Sequence, residues 1–232
     1  MIDSTPTVFI SPYRNVSVRY ILDTDIFRVL KQSEIRIIVF VKEGDVGFLE
    51  KRFSGKNIIF EPIFFKDALA EVRSFWKGIL ALARRMFSGR SESLINTTDK
   101  VWKDVFVYQS DNIFSRFRLS LATVLAYFGR KSSGVRKLLL TLESALSVGE
   151  LYDDYFIKYK PNLLIVSSIG YMIDPLMMRS AKRFNCKVVS IIHSWDNPST
   201  KGYRGGQPDI VIAWNEIMKK ELNVFHDIEE EK

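Results

Sequence analysis

The side chains best suited to chemistry in this chain follow the run Lys187 to Ile192, where His193 and Asp196 flank Ser194 and Trp195 in one short polar loop. An imidazole titrating near working pH beside a carboxylate is a combination that can take a proton from a hydroxyl, so either His193 or Asp196 is a candidate general base. Asn197, Ser199 and Thr200 continue the loop with hydrogen-bonding groups, and Trp195 offers a flat face to a ring. Gly202, Gly205 and Gly206 allow backbone amides to approach a bound group, while Lys201 and Arg204 offer positive charge to a phosphate. A purely structural reading uses the same residues, with Asp196 and Asn197 forming an Asx-type turn and Trp195 plugging the loop onto the domain.

These residues gain meaning from the elements that must hold them. A β-branched run such as Lys187 to Ile192 reads as a buried strand, and the same reasoning predicts strands at Thr7 to Ser11, Ile35 to Val41, within Asn57 to Phe65, at Leu163 to Ser167 and at Asp209 to Ala213. Helical spacing at Val18, Ile21, Leu22, Ile26, Val29 and Leu30 makes the opening a βαβ unit, hence a parallel sheet with right-handed crossovers. Helices are predicted at Pro175 to Phe184 and Asn215 to Phe225, and helical segments at 66–90 and 113–147, with loops at Ser88 to Ser93 and Arg130 to Gly134 and a short strand or helix at Val101 to Tyr108. The expected fold is α/β, a Rossmann-like three-layer domain with a central parallel sheet plus inserted helices. Ligands of such sheets bind at the carboxyl ends of strands. That rule adds Ser11, Arg14 and Asn15 after the first strand, Tyr171 in the loop after the fourth, and Asn215 with Glu216 at the start of the last helix. For the last pair helix capping is an equally good explanation.

The chain has 232 residues, 47% of them hydrophobic, which supports a substantial core. One cysteine, Cys186, permits neither a disulfide framework nor a zinc site within the chain, and it is expected to be a buried hydrophobe in a cytoplasmic protein. No secretory leader is expected from Met1 to Pro6, and no apolar stretch reaches spanning length. The net charge of +7 is localised: between Lys66 and Lys137 there are 14 Lys and Arg against 6 Asp and Glu. Trp76, Arg84, Arg85, Arg116 and Arg118 lie in segments that mix aromatics, aliphatics and cations. Such segments are either packing helices with solvated arginines or an interfacial surface for anionic lipid, the latter implying peripheral attachment at the inner face of the plasma membrane. Nucleic acid is not expected, because no binding motif accompanies the charge. Walker A, GxGxxG and HExxH motifs are missing from the sequence, and the Glu221 and Glu229 spacing straddles a helix end and an acidic tail.

From Pro161 to His226 the sequence resembles a glycosyltransferase family with the GT-B fold, found among bacterial and archaeal surface-polysaccharide proteins. The resemblance rests on a strand ending in His193-Ser194-Trp195-Asp196-Asn197 and on the later Trp214-Asn215-Glu216. It implies the N-terminal, acceptor-side half of such an enzyme, with Asp196 ranked slightly ahead of His193 as the base. The loop after Ser11 lacks the glycines many GT-B proteins carry there, so acceptor contacts do not carry over in detail. It also implies a saccharide acceptor, lipid-linked or soluble, no tightly bound cofactor, and a nucleotide-sugar donor held by a C-terminal donor-binding domain or a separate subunit that this chain does not contain. The rival readings are a non-catalytic binding or recruitment module and a relative of nucleotide-sugar epimerases.

Overall fold

The computed structural model describes residues 5–12, 15–63, 74–88, 113–146, 151–170, 173–200 and 202–229. Six short apolar runs form strands: β1 Thr7–Ser11, β2 Arg36–Lys42, β3 Ile58–Ile63, β4 Leu163–Val166, β5 Lys187–Ile191 and β6 Ile210–Ile212. All pair in parallel in the order β3-β2-β1-β4-β5-β6. Two side chains set the register at the amino edge. Asn162 Oδ1 accepts from the Thr7 N–H at 2.9 Å, and Asp209 Oδ2 accepts from the Val188 N–H at 2.8 Å.

Strand alternation divides the core between two faces. Val8, Ile10, Ile37, Val39, Val41 and Ile165 meet residues of three helices, α1 Asn15–Ile21, α2 Asp25–Gln32 and α3 Val46–Phe53. Phe9, Ile38, Phe40, Leu164, Val166 and Val188 point the other way. The architecture is therefore the expected three-layer α/β, Rossmann-like one.

The chain divides into two compact units. The first comprises 1–68, 149–193 and 207–212 and contains the whole sheet. The second comprises 69–148, 194–206 and 213–232. Its helices are α4 Phe75–Arg85, continued by a 3-10 turn at Met86–Ser88, then α5 Ile113–Lys131 and α6 Ser133–Ala145. α7 Asp153–Tyr159 and α8 Asp174–Arg183 return to the first unit, and supply Phe156, Leu176, Met177 and Ala181 to the Phe9 face of the sheet. The one-turn α9 Asn197–Thr200 and α10 Glu216–His226 belong to the second. The loop expected at Arg130 to Gly134 is the single residue Ser132, whose hydroxyl accepts from Val135 N–H at 3.4 Å to cap α6. The element expected at Val101 to Tyr108 lies outside the described residues.

The second unit packs Ile79, Leu82, Ala83, Met86 and Phe87 against Ala122, Ala126, Leu139 and Tyr203. It also buries two ion pairs. Arg84 Nε donates to Glu143 Oε2 at 2.9 Å, both side chains being nearly inaccessible. Arg136 donates through Nε and Nη2 to the two oxygens of Asp227 at 2.8 and 2.6 Å, and through Nη1 to the Gly129 carbonyl at 2.7 Å.

Candidate functional site

The strand order reverses between β1 and β4: from β1 the chain moves to β2 on one side, and from β4 to β5 on the other. At such a switch point the two flanking connections diverge and leave a crevice at the carboxyl ends. A buried polar cluster occupies that place in the first unit. Ser11 ends β1 and donates to Asp174 Oδ1 at 3.2 Å; Ser167 follows β4 and donates to Asp174 Oδ2 at 3.2 Å. Asp174 opens α8 with Pro175 behind it, a position where the helix dipole favours a carboxylate and the ring needs no N–H partner. Burial outweighs these effects. It pushes the Asp174 carboxyl up to about 7, against the hydrogen bonds from Ser168, Ser11 and Ser167 that lower it.

His193, two residues beyond β5, is buried beside this cluster. Its Nδ1 lies 2.6 Å from the Ser167 carbonyl oxygen. A carbonyl only accepts, so Nδ1 carries the proton and the lone pair of the neutral ring is on Nε2. Ser167 thus holds Asp174 with its side chain and His193 with its main chain. The arrangement places a carboxyl raised toward neutrality and an oriented imidazole on the side chain and main chain of one residue, at the carboxyl edge of the sheet.

The sequence located Ser11 and His193 but not Asp174. The available signal was an Asp-Pro pair opening a helix directly after a serine-rich strand end, Ser167-Ser168.

The loop from Ser194 onward belongs to the second unit and is held by its own bonds. The Asp196 carboxylate accepts from the Ser194 hydroxyl, and its carbonyl accepts from the Ser199 N–H and hydroxyl, each at 3.2 Å. The Asn197 N–H donates to the Ser194 carbonyl at 3.1 Å, and the chain runs into α9. These are main-chain turn bonds and a Ser194 hydroxyl bond rather than Asx-type bonds, and Trp195 does not plug the loop: it is 72% exposed.

Three assignments made from the sequence change with the structure. Gly202 has φ +79°, and a Cβ there would stand 2.7 Å from the Arg85 Cα, so this glycine serves close packing on α4 rather than approach to a ligand. Arg204 is buried, its N–H donating to His226 Nδ1 at 3.0 Å and its Nε to the Tyr203 hydroxyl at 3.3 Å, so it does not offer its charge to a phosphate in solution. Arg84 is not a surface cation. It pairs with Glu143 and donates through Nη1 to the Tyr203 carbonyl at 2.8 Å, because the last turn of α4 faces inward.

Asn215 is the N-cap of α10, its Oδ1 accepting from the Met218 N–H at 2.9 Å, and Glu216 is exposed in the first turn. Ser199 is half-buried. Arg14, Tyr171 and Lys201 lie outside the described residues, as do the side chains of Asn15 and Thr200. Trp76 and Arg116 are exposed, and Arg85 and Arg118 half-buried. Cys186 is buried, and desolvation pushes its thiol up to about 12, which makes it inert.

Among the described residues no group of His, Cys, Asp and Glu is arranged to hold a metal ion, and no helix is long and apolar enough to cross a membrane. Comparison with protein families, with curated proteins and with solved structures finds no match to this chain.

Proposed function

We propose that this chain is the acceptor-binding half of a GT-B glycosyltransferase that builds cell-surface polysaccharide or glycoconjugate, with the nucleotide-sugar donor held by a second domain or subunit. The observation that carries this reading is the Nδ1 bond of His193 to the Ser167 carbonyl, which orients an imidazole base at the carboxyl edge of the sheet. In transfer, Nε2 takes the proton of an acceptor hydroxyl as that oxygen bonds to the sugar's anomeric carbon. The bond from that carbon to the nucleotide phosphate breaks, and the phosphate leaves as an anion. The Ser167 carbonyl stabilises the imidazolium formed. His193 now ranks ahead of Asp196, whose carboxylate is engaged by Ser194 within its own turn.

The test is transfer by the chain together with the partner that co-purifies with it, using a panel of nucleotide sugars and the native glycan as acceptor. His193→Ala should lower the rate by about 10²- to 10⁴-fold while leaving the melting temperature nearly unchanged. Asp196→Asn should cost much less. Wild-type turnover by a stably folded His193→Ala protein would overturn the assignment and favour a non-catalytic recruitment module.

A further inference from the structure

α5 is built with its bulk on the outside. Its buried positions are Ala122, Ala126 and Gly129, and the Phe87 ring lies so close to Gly129 that an added Cβ would stand 2.3 Å from it. Leu119, Leu121 and Leu125 pack at the flanks of that core, but four large apolar side chains point the other way: Ile113, Phe117, Val124 and Phe128 are each more than half exposed. At 3.6 residues per turn these four fall on one stripe along the helix. The stripe begins at an aromatic patch. The Phe75 ring meets Trp76 at 5.0 Å and Phe114 at 6.0 Å edge-on, and the Arg118 guanidinium lies over it at 5.9 Å. Trp76 and Phe114 are themselves exposed.

Among the described residues of α4 and α5 the charge has one sign. α5 carries Arg116, Arg118, Arg130 and Lys131 and no acid, and α4 adds Lys77 and Arg85. The one carboxylate on α4, α5 and α6 is Glu143, buried against Arg84.

From this we infer that the outward face of α5, with Trp76 and Phe114 at its amino end, is an interfacial binding surface for anionic lipid. An apolar stripe enters the headgroup boundary while flanking cations meet lipid phosphates, and both halves of that match are present here. A second copy of the chain fits less well, because a two-fold contact would bring the cationic rims together. Nucleic acid would accept the cations but not the aliphatic stripe of Ile113 and Val124. The inference does not depend on sugar transfer and stands or falls without it.

Flotation of the full chain with vesicles of phosphatidylcholine, alone or mixed with phosphatidylglycerol, tests it. Binding should require phosphatidylglycerol and should fade as salt rises. Phe117→Glu combined with Val124→Glu should weaken partitioning by about tenfold or more, and Arg116→Glu combined with Lys131→Glu should remove the anionic preference. Phe117→Trp supplies a check that charge reversal cannot confound: its emission should shift to the blue and be quenched by brominated lipid on anionic vesicles. Failure to float at low salt overturns the inference. So does equal flotation of wild type and the Phe117→Glu, Val124→Glu protein, or a concentration-dependent dimer that Phe117→Glu dissociates in a chain that ignores vesicles.

Discussion

Buried carboxylates are treated differently in the two units. In the second, two deeply buried guanidiniums face carboxylates: Arg84 faces Glu143, and Arg136 takes both oxygens of Asp227. In the first, Asp174 is surrounded by the hydroxyls of Ser11, Ser167 and Ser168, which solvate it without neutralising it. His226 is held at both nitrogens, accepting at Nδ1 from the Arg204 N–H and donating from Nε2 to the Pro198 carbonyl at 2.7 Å. His193 is oriented through Nδ1 in the other tautomer. Compensated charge fixes a packing arrangement, whereas an uncompensated acid beside an oriented base costs stability and is the usual mark of a working site.

The sharpest way to break this contrast is to uncompensate the second unit. Arg84→Met leaves Glu143 buried without its partner, and removing one member of such a pair costs about 3–5 kcal/mol. Combining it with Glu143→Leu should restore most of the loss, since the apolar pair carries no desolvation cost. Urea unfolding of the two proteins measures this. A loss below about 1 kcal/mol from Arg84→Met would mean that the pair is solvated, and the distinction between the units would fall.

The second test acts on the first unit and has the opposite sign. The Asp174 carboxyl is raised from an ordinary 3.8 to about 7. Between those values the unfolded chain releases this proton while the folded chain keeps it, so unfolding is favoured progressively as pH rises. The contribution is fully present below about pH 4, is lost as pH climbs through 7, and is level above that. Asp174→Asn removes the dependence. The stability of wild type relative to this variant should therefore fall by up to about 4 kcal/mol between pH 4 and 8. A difference that stays flat with pH would show that Asp174 ionises normally, and the working-site argument would lose its acid.

How far the sequence foretold this contrast depends on the range of each interaction. The strands were legible because their signal is local: Ile37 to Val41 is β-branched or aromatic throughout, and five residues suffice to read it. His193 was legible as a residue at a strand end, but its partner Ser167 is 26 positions away in the chain, so its tautomer was not. Arg84 was misread for the same reason. A cation in the last turn of a helix looks solvated, and Glu143 is 59 positions distant. α5 was legible as a helix, yet its outward face was not, because apolar residues fall on both sides and only packing through Gly129 and Ala126 decides which side is inward.

The smallest effect separates the two explanations of Asn215. As N-cap of α10 it accepts from Met218 N–H, and replacing such a cap with Ala costs about 1 kcal/mol. Asn215→Asp keeps an acceptor at the same position and adds a charge that the helix dipole favours, so it should be as stable as wild type or slightly more so. It removes the amide donor, however. If Asn215 only caps the helix, Asn215→Asp should match wild type in both melting temperature and transfer by the reconstituted enzyme, while Asn215→Ala loses stability alone. If its amide also meets a ligand, Asn215→Asp should stay folded and raise KM for the acceptor. The two variants thus decide whether Asn215 only caps its helix or also meets a ligand.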